Sequence, residues 1–347
     1  MNISILQQND ELFFLLGGDT LKDTSYYSLV IGIGSYLKTY NSVVMSLRSY
    51  HEEESVIDNA VRGNDKYIEC YLNIAIHIQH FFELEVKRIL DNENRLYAVD
   101  TKGDPLITYK LLNNIEIQQE DTEKLKFIEF SDAINRLGKL VDNNIIDDEI
   151  ARLFVANKEL LKGVNYLRNT TLHRGRKLMN YCALDKLFSQ NLLPLIKALL
   201  DQPYYSIYKS FFCSSGIYDV VKMIIDEGKK STINYSQIAL LKEIGRSKLE
   251  LVLKPKLDEI KDKEYIEMTL GKKMLYNYCD VVKTEKQCPC CGYKTVLNGR
   301  ELVGYAIDEL GDEMGNGSGF QIIHVPDYEE FYECAWCGFR VSTFIDL

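Results

Sequence analysis

Two copies of one turn near the C-terminus constrain this chain most: Cys288-Pro289-Cys290-Cys291-Gly292 and Cys334-Ala335-Trp336-Cys337-Gly338. Each sets two thiols three residues apart. The glycine that follows tolerates positive φ, which lets the turn aim backbone amides at sulfur. Two such turns bring together four soft donors, and four thiolates suit a tetrahedral Zn2+. The spacing assigns Cys288, Cys291, Cys334 and Cys337 to one zinc ion. That zinc is expected to be structural, since four protein ligands leave no open position for a substrate. Cys290 is a spare thiol able to exchange with Cys291, and His324 is not expected to be a ligand. Val281–Gln287 and Tyr293–Leu297 read as strands beside the first turn, making residues 281–347 a small, β-rich zinc ribbon. Forty-two residues separate the knuckles. The glycine-rich stretch Gly311–Gly319 is expected to form a mobile excursion there.

The rest of the chain reads as helical. With 347 residues there is room for several domains and a sizeable core. Only 6 prolines and 46% hydrophobic residues argue against long disordered tracts. The N-terminus lacks a basic segment followed by an apolar run, and no apolar stretch reaches the ~18 residues of a membrane span. Nine cysteines, five of them in the two C-terminal clusters, read as reduced thiols rather than a secreted disulfide framework. The expected location is therefore cytoplasmic.

Residues 1–62 form an N-terminal helical region in this reading. Tyr26, Val30, Ile33, Leu37, Tyr40, Val44 and Leu47 fall on one helical face over 26–47. Gly32 and Gly34 weaken that helix. They do not make a phosphate loop, because Leu37 stands where the third glycine would be. A longer helix is predicted over Lys66–Leu90. Its apolar face is Tyr71, Ile74, Ile78, Phe82, Val86 and Ile89, with a polar seam of Gln79, Glu83 and Lys87. His77 and His80 read as packing residues. Ser131 is expected to cap a short helix ending near Leu140.

Asp147-Asp148-Glu149 is a strong helix start, with acids at the positive end of the dipole. The apolar stripe that follows, Ile150, Phe154, Leu161 and Val164, continues by four to Arg168. A permanently charged side chain thus sits on the line meant for core, and burying it is costly unless it is paired or faces a polar cleft. Gly175 closes that helix. Another is predicted over Leu178–Leu200, with Pro194 late in it. Residues 201–280 form a helical connecting region, with short helices at Ile217–Asp226 and Gln237–Ile244.

Taken together, Ile78-Gln79-His80-Phe81-Phe82-Glu83-Leu84-Glu85-Val86-Lys87, the segment Phe130–Leu140, and Arg168-Asn169 with His173 resemble the HEPN superfamily of helical bundles. The likeness covers roughly residues 66–200 and rests on that family's R-x4-6-H signature. It implies a mainly α fold: a HEPN-like helical domain over 63–200 with extra helices, carrying the C-terminal ribbon. It also implies a metal-independent endoribonuclease acting as a homodimer, with a role in anti-phage defence or as a toxin.

The residues allow that chemistry. Histidine titrates near neutral pH and can take the proton of an RNA 2′-hydroxyl or return one to the leaving 5′-oxygen. A forked guanidinium can stabilise charge on the phosphoryl oxygens. Arg168, His173 and Asn169 are the candidate catalytic residues. Arg174, Arg176 and Lys177 are candidate contacts to flanking phosphates; Glu83 reads equally as a residue that holds Arg168 or lines the cleft and as part of a solvent face with Gln79 and Lys87. Although the chain carries a net charge of −10, residues 151–190 hold eight bases against two acids, a local +6. The ribbon is the opposite: residues 286–347 hold four bases against ten acids. That acidity points to a protein partner or to domain scaffolding there, and opposes a DNA-binding regulator. The competing reading is a non-catalytic RNA- or protein-binding scaffold using the same bundle and ribbon.

Overall fold

The longest helix organises the molecule, which is seen here in a computed structural model that describes residues 23–42, 54–113, 115–118, 125–174, 177–252, 278–310 and 321–341. Three helices open the chain: α1 (Thr24–Lys38), α2 (Glu54–Ala60) and α3 (Asp65–Glu93). Asn64 caps α3 by accepting from Tyr67 N, and all six residues of the predicted apolar face are buried. Along α3 lies α1, capped by Asp23 and ending in a 3-10 turn over Thr39–Ser42. The buried face of α1 includes Tyr26, Leu29, Ile33, Tyr36 and Leu37. The predicted positions Val44 and Leu47 lie outside the described residues. Gly32 sets the approach of the two helices: a Cβ there would fall 2.6 Å from Ile78 Cδ1. The glycines that weaken α1 by propensity are therefore what let it pack.

Next come α4 (Arg95–Ala98), a two-residue pairing of β1 (Val99–Asp100) with β2 (Lys126–Phe127), and α5 (Pro105–Leu112). Then follow α6 (Phe130–Asp142), α7 (Glu149–Ala156) and α8 (Lys158–Asn169). Ser131 does not cap α6: Glu129 occupies the N-cap with no side-chain bond, and Ser131 lies one position inside the helix. Asp148 caps α7 through Ala151 N, as the acidic run predicts. The expected single helix breaks at Asn157, yet Ile150, Phe154, Leu161 and Val164 all remain buried. Both pieces thus keep the stripe that one helix would have presented.

A turn of π-helix over Thr170–Arg174 follows α8. The predicted helix Leu178–Leu200 is likewise interrupted, as α9 (Tyr181–Leu187), a π turn over Phe188–Leu192, and α10 (Leu193–Leu200). Pro194 is the second residue of α10 and explains the interruption, because it has no N–H to donate and its ring clashes with the carbonyl four residues before it. Beyond it are α11 (Ser206–Ser214), α12 (Ile217–Gly228) and α13 (Tyr235–Leu251), the last packed on both α1 and α12. At the end of α12, a Cβ on Gly228 would meet Ser189 Cβ at 2.4 Å and its backbone carbon at 3.1 Å. Gly228→Ala is therefore expected to cost about 1–3 kcal/mol through overpacking, read from urea unfolding.

The C-terminal sheet is antiparallel, ordered β3 (Tyr278–Lys283), β4 (Val296–Leu310), β5 (Gln321–Cys334) and β6 (Arg340–Val341). Val296 pairs with Cys334, so the long β4–β5 ladder begins beside the second knuckle. The first predicted strand starts earlier and ends sooner than expected, at 278–283, and the second begins only at Val296. The Gly311–Gly319 excursion lies outside the described residues. The protein is thus mainly helical with a small antiparallel sheet near the C-terminus. Among the described residues, no helix is long and apolar enough to cross a membrane.

Candidate functional site

Four sulfurs converge in the ribbon. The Sγ atoms of Cys288, Cys291, Cys334 and Cys337 all lie within 4.8 Å of one another. Cys288 Sγ is 3.5 Å from Cys337 Sγ, and Cys291 Sγ is 3.5 Å from Cys334 Sγ. A tetrahedron of Zn–S bonds near 2.3 Å needs sulfur separations of about 3.8 Å, so the four thiols fit such an ion with little movement.

The two knuckles are built alike. Gly292 and Gly338 take φ of 75° and 71°, and their amides bond Cys288 O at 2.8 Å and Cys334 O at 2.9 Å. The expected amide-to-sulfur contacts are present as Cys290 N to Cys288 Sγ and Cys337 N to Cys334 Sγ, each 3.4 Å. Cys290 stands outside the sulfur cluster, with its thiol 3.9 Å from Ile244 O on α13. His324 pairs with Ile307 in the β4–β5 ladder.

Buried charge docks the second knuckle on the bundle, a feature absent from the sequence reading. Arg246 on α13 donates to Glu243 Oε1 at 2.5 Å and to Gly338 O at 2.7 Å. Arg340 N donates to the same Glu243 oxygen at 2.8 Å. Burial pushes the Glu243 carboxyl up, while Arg246 and the Arg340 amide pull it down. The only early signal was the Lys242-Glu243 pair inside the apolar run Ile238–Ile244.

The Arg/His segment lies at the other end of the chemistry. Arg168 is half-buried in the last turn of α8 and donates to Asn169 Oδ1 at 3.0 Å. Among the described residues no carboxylate lies within ion-pair distance of Arg168. Several other bases of the patch are neutralised: Arg152 by Asp147, Lys162 by Glu159, and Lys186 by Glu54. The π turn then buries Thr170 and Thr171 and leaves His173 exposed. On an α-helix, residues five apart point about 140° away from each other. Arg168 belongs to the α-helix and His173 to the wider π turn that follows it. Lys177 is exposed; the side chains of Arg174 and Arg176 lie outside the described residues.

Glu83 does not pair with Arg168. Its carboxylate accepts from Gln79 Nε2 at 2.7 Å and from Lys87 Nζ at 2.5 Å. Burial opposes its charge, but these two bonds outweigh it and hold the carboxyl below the usual range. The neighbouring Glu85, fully buried, accepts from Ser25 Oγ, Tyr205 Oη and Arg88, which ties α1 and the start of α11 to α3. His80 bonds Ser28 Oγ at 2.9 Å, a packing role.

No protein-family model, curated protein or solved structure matches this chain.

Proposed function

We propose that this protein is a metal-independent endoribonuclease built on a HEPN-like helical bundle, cleaving RNA as a cytoplasmic homodimer in anti-phage defence or as a toxin. One observation carries the reading: Arg168, half-buried at a helix end, is held by the neutral amide of Asn169 and not by an acid. A guanidinium oriented but not neutralised keeps its charge for a phosphate. The π turn is compatible with the same reading, since it leaves His173 exposed five residues after Arg168. Tyr166, Leu172 and Leu178, all large and exposed, flank the pair and offer apolar surface for a second copy.

In such a dimer two copies of His173 share one groove. One removes the proton of the 2′-hydroxyl as that oxygen bonds phosphorus. The other gives a proton to the 5′-oxygen as the P–O5′ bond breaks, leaving a 2′,3′-cyclic phosphate and a free 5′-hydroxyl. Arg168 stabilises charge on the non-bridging oxygens, and Arg174, Arg176 and Lys177 grip neighbouring phosphates. The four cysteines hold a structural zinc that fixes the ribbon, whose acidic surface takes a protein partner.

The test is incubation with RNA in magnesium-free buffer with EDTA, with zinc content assayed afterwards. Cleavage giving cyclic phosphate ends is expected, and its loss in both His173→Ala and Arg168→Ala with unchanged circular dichroism. Cleavage by His173→Ala at the wild-type rate would sink the mechanism. RNA retention with no cleavage under any condition would favour the scaffold instead.

A further inference from the structure

A cleft of about 530 Å³ lies where the ribbon meets the bundle, between the C-terminal end of α11, the end of α13 and both knuckles. Three of its eleven lining residues are cysteines, and they differ in what they can do: Cys213, Cys290 and Cys291. Cys291 belongs to the four-sulfur cluster. Cys290 is the spare thiol beside it, and Cys213 stands apart on α11.

Among the described residues the cluster opens to solvent at one corner. Cys288, Cys334 and Cys337 are buried, whereas Cys291 is half-buried and is the cluster member that lines the cleft. A chelator or metal carrier entering the cleft therefore meets Cys291 first. When that sulfur lets go, the metal needs another soft donor to keep its coordination. Cys290 is placed to be that donor. Its amide lies 3.4 Å from Cys288 Sγ, and its thiol neighbours those of Cys288 and Cys337. At rest the same thiol makes a weak contact, 3.9 Å from Ile244 O, which costs little to give up. Lys248 is the charged residue of the lining, and no carboxylate is present to trap a hard cation. An ammonium in the cleft favours a thiolate that is passing between partners.

We infer that Cys290 is a reserve metal ligand, and that the cleft is the port through which the ribbon takes up and gives up zinc. The Cys290 thiolate bonds the metal as the Cys291 thiolate leaves it, and the proton lost by Cys290 passes to Cys291. One sulfur–metal bond forms for each that breaks, so four thiolates hold the ion before and after. A structural zinc is thereby made exchangeable without unfolding the ribbon. The inference rests on the zinc reading of the four cysteines and is independent of the ribonuclease reading.

The experiment has two arms, both on the full-length protein, with the bundle of each variant checked by circular dichroism. In the first, cobalt(II) replaces zinc, and its sulfur-to-metal absorption in the ultraviolet counts bound thiolates. Cys291→Ser is expected to keep the wild-type intensity, because Cys290 takes over. Cys291→Ser combined with Cys290→Ser is expected to lose about a quarter of it, one thiolate of four. In the second arm, excess pyridylazoresorcinol draws zinc from the loaded protein. Cys290→Ser is expected to release it about tenfold more slowly or slower still, having lost the exchange route, with unchanged equilibrium affinity. Cys213→Ser is expected to release it at the wild-type rate. Three-thiolate intensity in Cys291→Ser alone overturns the proposal. So does release from Cys290→Ser at the wild-type rate, or release slowed as much by Cys213→Ser. A wild type that takes up neither cobalt nor zinc overturns the metal reading of the four cysteines, and this proposal with it.

Discussion

Stripping metal from this protein is expected to move its tryptophan fluorescence to the red, and zinc is expected to restore it. The chain has a single tryptophan, Trp336, which is 9% exposed and stands between Cys334 and Cys337. Its emission therefore reports on the second knuckle alone. The described ribbon buries few apolar side chains, chiefly Val296, Leu297, Phe331, Phe339 and Val341. A core of that size holds a fold poorly without a cross-link. Structural zinc in small domains supplies apparent binding energies of about 10–16 kcal/mol at neutral pH, so its loss should release the knuckles. Cys334→Ser should behave like the stripped protein. Magnesium should not rescue either, because it prefers hard oxygen donors. Acid should release the metal as well, since protons compete with it for thiolates. The far-UV signal should change little, because the helical bundle buries its own face along α1, α3 and α13. Metal analysis should give one zinc per chain. Emission unmoved by complete removal of metal would refute a structural role for the site.

What could be read in advance follows from how local each signal is. The face of α3 repeats over many turns, and each of its six predicted residues is buried. The knuckles need only five consecutive residues each, and the glycine φ angles follow from the motif. Elements that answer to distant partners were less legible. The π turn at Thr170–Arg174 has no glycine or proline inside it to announce it, while the one at Phe188–Leu192 is traceable to Pro194 only in hindsight. The break at Asn157 preserves the apolar stripe, so periodicity cannot reveal it. Glu83 illustrates a further limit: its spacing shows that it shares a helix face with Gln79 and Lys87, but not that this face satisfies it completely.

Buried charge was the least legible feature, because a polar letter in a sequence reads as surface. Glu85, Asp185, Lys242 and Glu243 are all fully buried. Two of them are adjacent on α13. Lys242 points into the bundle core and Glu243 to the ribbon, so one helix carries charge to both. The four-cysteine cluster and the bundle are thereby joined through ionic contacts that a hydrophobic pattern cannot predict.

Lys242→Met is expected to destabilise the bundle by about 3–5 kcal/mol, the cost of leaving a buried charge without its partner. Lys242 forms an ion pair with Asp185 inside the core, and neither side chain has any solvent exposure. Its ammonium also donates to Thr39 Oγ1 at 3.0 Å and lies over the rings of Tyr36 and Tyr181, at 4.5 and 4.0 Å. Desolvation pushes the Asp185 carboxyl up and the Lys242 ammonium down, so each depends on the other to stay charged. Once Lys242 is gone, Asp185 folds most easily in its protonated form. The unfolded chain ionises that carboxyl near its ordinary value of about 3.9. Stability of the single variant should then fall as pH rises above that value, and recover on acidification, opposite to ordinary acid denaturation. Lys242→Met combined with Asp185→Leu removes both charges and should regain most of the loss, because paired burial gives little net stability over apolar packing. Urea unfolding of both singles and the double, at neutral and acid pH, gives the coupling directly. If the single variant matches wild type in urea at neutral pH, the two side chains are not an interdependent pair, and the ionic core assigned to α13 is wrong.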